Sequence, residues 1–75
     1  MNLLDLKIGQ TGIVSHIDGN DKLAKRLLAL GCVNGTSIKF KRKAPLGDPI
    51  IFTIRGFDIA LRKKDAKNIH LKEII

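Results

Sequence analysis

The chain has 75 residues, with 14 Lys or Arg against seven Asp or Glu, which gives a formal net charge of +7. A chain of this length buries only about 60% of its unfolded surface, so we expect one small domain over residues 1–75, without the cleft that most enzymes need. The positive charge is compatible with nucleic acid, with an acidic protein surface or with a solvated face.

The first half of the chain predicts a strand followed by a helix. Side chains alternate over Thr11–Ile17, as in a half-buried strand. An apolar stripe at helical spacing predicts an inserted α-helix from about Lys22 to Leu30, and Gly31 follows where a left-handed residue can end it. The stripe comprises Leu23, Leu27 and Leu30, and the candidate N-caps are Asp18, Asn20 and Asp21.

Leu28 does not belong to this apolar stripe. At about 100° per residue it points well away from the centre of the stripe. It is therefore either a second core contact at the helix edge or an exposed apolar side chain for a partner.

A β-hairpin is predicted over residues 37–55, because period-two alternation flanks the turn-forming cluster Ala44–Pro49. We expect the core to form on its inner face, which carries Ile38, Phe40, Ile50, Phe52 and Ile54. We expect the opposite side of the first arm to present Lys39, Lys41 and Lys43 on one face.

The remaining residues predict two more strands. Residues 57–61 alternate again, residues 63–68 form a polar turn typical of one turn of 3-10 helix, and Ile69 begins a last short strand. Five strands in so short a chain favour a closed barrel over a flat sheet with free edges. The predicted fold is mainly β, a small SH3-like five-stranded barrel with one inserted helix.

The sequence contains no catalytic constellation or phosphate-binding loop, so we expect no enzyme activity and no cofactor. His16, Cys32 and His70 are the only soft or borderline metal ligands, and they are far apart in sequence. No metal site is expected, and these three are weak candidates. For Cys32 we expect a small buried side chain just past the helix.

The N-terminus lacks the pattern of a signal peptide, and the lone cysteine excludes an internal disulfide, which together predict a cytoplasmic location. The longest apolar run, 27–33, is far shorter than the roughly 20 residues of a membrane span. We therefore expect no direct membrane insertion.

The sequence supports nucleic acid as a partner less well than it supports a protein. Basic side chains could neutralise several phosphates. The chain has no Trp or Tyr, however, and its three Phe are predicted to be internal, so the stacking surface of a single-strand binder is missing.

Four blocks of sequence resemble the ferrous iron transport protein A (FeoA) family over nearly the whole chain. They are Gly9-x-x-Gly12-x-Val14, RLLALG at 26–31, APLGDP at 44–49 and IALRKKDAKNI at 59–69. The resemblance implies an SH3-like barrel with an inserted helical segment. It also implies a non-enzymatic cytosolic accessory that binds and modulates FeoB, a membrane transporter of ferrous iron with a cytosolic GTPase domain.

With this resemblance we predict partner contacts at the exposed apolar and basic positions of the chain. These are Leu28, Pro45, Leu46, Lys39, Lys41 and Lys43. Turn geometry explains Pro45 and Leu46 equally well. The alternative functions are a basic nucleic-acid-binding barrel and a metal-responsive regulatory module, and self-association as a homo-oligomer also stays open.

Overall fold

The computed structural model describes residues 1–19 and 21–75, and within them the predicted strands are all present. A 3-10 helix at Leu3–Asp5 comes first. It is followed by β1 Thr11–Ile17, α1 Asp21–Ala29, β2 Ser37–Lys43, β3 Ile50–Ile54, β4 Phe57–Leu61, α2 Lys63–Ala66 and β5 Ile69–Ile74. The inserted helix differs from the predicted one by a single residue at each end. The candidate cap Asn20 lies outside the described residues.

The five strands form one antiparallel sheet in the order β4-β3-β2-β1-β5. Within the described residues no ladder joins β4 to β5, so hydrogen bonding does not close the barrel fully. The N-terminal segment covers the outer edge of β5 instead. Asn2 bridges His70, and the Leu71 N–H donates to the Met1 carbonyl at 2.9 Å.

The hairpin of β2 and β3 carries the centre of the core, as predicted. All five inner-face residues, from Ile38 to Ile54, are buried. Phe40 and Phe52 lie opposite each other in the ladder, with ring centroids 5.5 Å apart and planes tilted by 59°. Tilted rings at this distance attract each other in addition to the area they bury.

The helix α1 ends in a Schellman motif. Gly31 has φ +82°, its N–H donates to the Leu28 carbonyl, and the Cys32 N–H donates to the Leu27 carbonyl, both at 2.9 Å. Leu27 is buried, whereas Leu28 is 61% exposed. Of the two alternatives for Leu28, the structure therefore shows the exposed apolar side chain. In the described part of the chain, no helix is long and apolar enough to cross a bilayer.

The strand β2 contains a bulge that the prediction lacks. The register shifts by one residue in the middle of the strand, and Lys41 is the extra residue. Beyond the shift, Lys43 lies opposite Ile50. Because residues opposite each other in an antiparallel pair share a face, Lys43 does not share the outer face with Lys39 as predicted.

Phe57 is not internal, contrary to the prediction for all three phenylalanines. It is 63% exposed at the start of β4. The turn before it, Arg55-Gly56, has φ of +50° and +84°, as in a two-residue type I′ hairpin. β4 is an edge strand of the described sheet, so only β3 flanks this ring.

The hairpin tip is bonded to α2. The Lys63 N–H donates to Asp48 Oδ1 at 3.0 Å, which satisfies an amide that the first turn of a helix leaves without a partner. Within the tip, the Ala44 N–H donates to the Pro49 carbonyl at 3.0 Å. The predicted 3-10 turn is thus a single α-helical turn, and the tip caps it.

Candidate metal and partner-binding sites

Two histidines and an aspartate meet where β1 and β5 pair. His16 and His70 are register partners, and their rings stack with centroids 4.4 Å apart and planes 9° apart. The carboxylate of Asp18 reaches both rings. Its Oδ2 lies 2.7 Å from His70 Nε2, and its Oδ1 lies 3.7 Å from His16 Nε2. The sheet register therefore brings together two of the three weak metal candidates.

Further hydrogen bonds hold this cluster in place. The Asp18 N–H donates to the Asn68 carbonyl at 2.8 Å, and Ser15 Oγ lies 2.9 Å from His16 Nδ1. One ligand atom from each of His16, Asp18 and His70 lies within 4.8 Å of the others. Sequence reasoning treated Asp18 only as a helix cap, because nothing local signals the pairing of β1 with β5.

Cys32 is not part of the histidine cluster. It is buried directly after α1, as predicted, and burial raises the pKa of its thiol. A protonated thiol is a poor metal ligand, because the thiolate is the coordinating form.

An apolar groove of about 300 Å³ lies between α1 and β1. Leu28 stands on its helix side, next to Ala24, and Val33 follows on the same side. The other lining residues are Val14, His16, Ile17, Cys32 and Asn34. Leu28 is thus an exposed side chain at a concave apolar surface, which is the usual shape of a binding site.

The predicted lysine contacts differ in their surroundings. Lys41 Nζ lies 2.5 Å from Asp58 Oδ2. The hydrogen bond from Lys41, with a second from Thr53, lowers the pKa of Asp58. Lys39 and Lys43 are exposed. The positive charge of Lys41 is therefore partly neutralised within the chain.

The other predicted contacts lie at the hairpin tip. Pro45 is exposed and Leu46 is 97% exposed. The bond from Asp48 to α2 gives the tip a structural role. The two apolar side chains take no part in that bond, so their role as contacts stays a prediction.

A second, more polar hollow of about 470 Å³ is lined by residues 33–37 and Arg55. The Arg55 side chain lies across Gly31, where a Cβ would come 2.8 Å from Arg55 Cδ. The positive φ favours glycine at 31, and a Cβ there would also displace the Arg55 side chain. Sequence reasoning did not single out Arg55.

Comparison with known proteins gives one family. A family model described as the FeoA domain matches residues 1–73. The chain is also similar to the Fe(2+) transport protein A/Fe(2+) transporter FeoB fusion protein of Porphyromonas gingivalis, with 32% identity over 74 residues. That match covers 99% of this chain and 9% of the fusion protein.

Solved structures give the same result for the fold. FeoA from Chlorobium tepidum has a TM-score of 0.88 at 35% identity, over 95% of this chain and 68% of that chain. FeoA from Stenotrophomonas maltophilia, a prokaryotic SH3 domain protein solved in complex with zinc, has a TM-score of 0.82 at 29% identity, over 96% of this chain and 89% of that chain. The predicted SH3-like fold is confirmed.

Proposed function

The chain belongs to the FeoA family, which is associated with ferrous iron transport, and on this premise we propose that it is a non-enzymatic cytoplasmic accessory of iron uptake. Its partner is the cytosolic part of a FeoB-type transporter, including the GTPase domain, and binding modulates that transporter. The Porphyromonas gingivalis fusion protein carries the proposal, because there a FeoA-like stretch and a FeoB transporter share one chain. This chain matches only 9% of that protein, so transport itself is assigned to the partner.

The groove between α1 and β1 is the proposed centre of the contact. Its apolar rim residue Leu28 is 61% exposed and is not one of the buried core residues. Covering such a side chain contributes about 1.5–3 kcal/mol, enough to dominate a small interface. Lys39, Lys43 and the tip residues Pro45 and Leu46 are proposed as further contacts.

Replacing Leu28 by Glu tests this contact. A charge at the rim must be desolvated on binding, so we expect Leu28→Glu to weaken capture of the transporter's cytosolic portion at least about tenfold, which corresponds to about 1.4 kcal/mol. The measurement is the dissociation constant of the immobilised chain for that portion, with nuclease-treated samples.

Ile8→Glu is the matched control. Ile8 is 63% exposed, so the variant makes the same change at a similarly exposed aliphatic side chain outside the groove, and we expect it to bind like the wild type. Thermal unfolding followed by circular dichroism checks that both variants are folded. Equal binding by wild type and a folded Leu28→Glu variant would remove Leu28 from the contact. Failure of the wild type to bind would refute the proposed partner.

A basic nucleic-acid-binding barrel is the competing function, and the exposed ring of Phe57 is the observation in its favour, because it offers one stacking surface. This function predicts that nucleic acid co-purifies with the protein at low salt, and that the binding constant for nucleic acid falls steeply with salt concentration. A transporter interaction that survives nuclease treatment distinguishes the two functions.

A further inference from the structure

We propose that His16, Asp18 and His70 bind one divalent first-row transition-metal ion, through Nε2 of each histidine and a carboxylate oxygen of the aspartate. Water completes the coordination on the solvent side. His16 also lines the groove of the proposed transporter contact, but metal binding is tested on the chain alone, so either proposal can fail without the other.

The three ligand atoms are close enough to meet at one metal ion once an imidazole ring reorients. Metal bonds to imidazole nitrogen and carboxylate oxygen are about 2.0–2.2 Å long, so two ligand atoms on one ion are at most about 4.4 Å apart. The three ligand atoms here lie within 4.8 Å of one another. Ligand atoms around a tetrahedral ion are about 3.3–3.6 Å apart, and the two rings are stacked with planes 9° apart, so at least one imidazole must turn out of the stack about its side-chain torsions before both Nε2 atoms face one ion. The metal takes the position of the hydrogen on His70 Nε2 that bonds to the Asp18 carboxylate, and the neutral imidazole then carries its proton on Nδ1.

The backbone frame holds the ligands before any ion arrives. The ladder between β1 and β5 fixes the two histidines opposite each other, and the bond from the Asp18 N–H to the Asn68 carbonyl fixes the loop. A ligand set held in this way loses little conformational freedom on binding.

Ser15 supplies the partner that a ligating histidine normally has. Its Oγ lies 2.9 Å from His16 Nδ1, so Nε2 is the ring nitrogen directed to Asp18. Metal-bound imidazoles commonly engage their second nitrogen in this way, which fixes the tautomer and the ring plane.

The ligand types select the class of ion. Two imidazoles and one carboxylate suit zinc, ferrous iron and their neighbours, whereas calcium and magnesium prefer oxygen ligands throughout. The chain has two histidines in total, and both are in the cluster. An ion at this site therefore perturbs every imidazole ring of the protein.

The test is a titration of the tag-free chain with zinc alone, followed by NMR of the two imidazole rings. We expect both rings to shift together and to saturate at one ion per chain. His70→Gln and Asp18→Asn each weaken binding at least tenfold. Glu73→Gln, which removes an exposed carboxylate from the same strand, is the matched control and binds like the wild type. Amide spectra show whether each variant is folded, and His16→Gln replaces His70→Gln if the latter unfolds.

Cobalt gives a second readout of the ligands. We expect a visible spectrum without a thiolate-to-cobalt charge-transfer band, because Cys32 lies outside the cluster. The proposal is overturned if zinc shifts neither ring, if folded His70→Gln and Asp18→Asn bind as tightly as the wild type, or if the thiolate band appears.

Discussion

At the scale of single residues, Asp58 shows how the sheet register sets the chemistry of a side chain. Its carboxylate accepts hydrogen bonds from Lys41 in β2 and Thr53 in β3. These bonds favour the charged form and lower the pKa of Asp58 below the ordinary value of 3.8. None of the three residues is close to both others in sequence, and the sequence alone predicted no such cluster.

Asp58→Asn should make stability less dependent on pH in the acidic range. A carboxyl with a lowered pKa in the folded state stabilises the protein above its unfolded pKa, and the stabilisation is lost as pH falls through the folded pKa. We expect the variant to unfold at a slightly lower temperature than the wild type at pH 7, and at nearly the same temperature well below pH 3.8. The effect is small because the pair is exposed to solvent.

The measurement is the unfolding midpoint as a function of pH, with Glu73→Gln as the control for removal of an exposed carboxylate. A gap between wild type and Asp58→Asn that stays constant from neutral to acidic pH would show that the ion pair is not its cause.

The candidate metal ligands illustrate the limits of sequence at this scale. The residue types pointed to His16 and His70, but only as weak candidates, because their spacing carries no signal. Asp18 was missed as their partner, since the register that joins β1 to β5 is not encoded by neighbouring residues. The alternation of residues 57–61 predicted that Phe57 points into the core. An edge strand, however, has a neighbouring strand on one side only, which leaves the other side open to solvent.

At the scale of elements, local patterns predicted most of the structure. The stripe of leucines and Gly31 predicted α1. The alternation of apolar and polar side chains predicted the hairpin and its buried face. The bulge in β2 was missed because Phe40 is followed by three basic residues, 41–43, and no apolar side chain after it marks which residues face the core. The capping of α2 by the tip was missed because Asp48 and Lys63 come from different elements.

Asp48→Ala should loosen the tip and the start of α2. The Lys63 N–H loses its acceptor, and loss of a comparable helix cap costs about 0.5–2 kcal/mol. We expect lower stability in urea unfolding and faster hydrogen exchange of the Lys63 amide. Asp48→Asn is the control, because asparagine accepts the same bond and should retain most of the stability. Unchanged exchange at Lys63 in the Asp48→Ala variant would rule out this role for Asp48.

At the scale of the whole molecule, the sequence predicted an SH3-like barrel, and the five-stranded sheet together with the FeoA relative described as an SH3 domain protein confirms the SH3-like fold. Full closure by hydrogen bonds was expected from the cost of free edges. The structure covers the β5 edge with the N-terminal segment instead. The groove between α1 and β1 could not be predicted, because it depends on how the helix sits on the sheet. Of its lining, the sequence predicted the exposed Leu28 as a partner contact and the buried Cys32 just past the helix.

The most direct test of the proposed function is an NMR titration of the ¹⁵N-labelled chain with the cytosolic portion of the FeoB-type transporter from the same cell. We predict saturable shifts of the amides that line the groove, centred on Leu28 and Val33, with the β4 edge around Ala60 unaffected. The absence of saturable shifts, or shifts confined to surfaces outside the groove, would contradict the proposal.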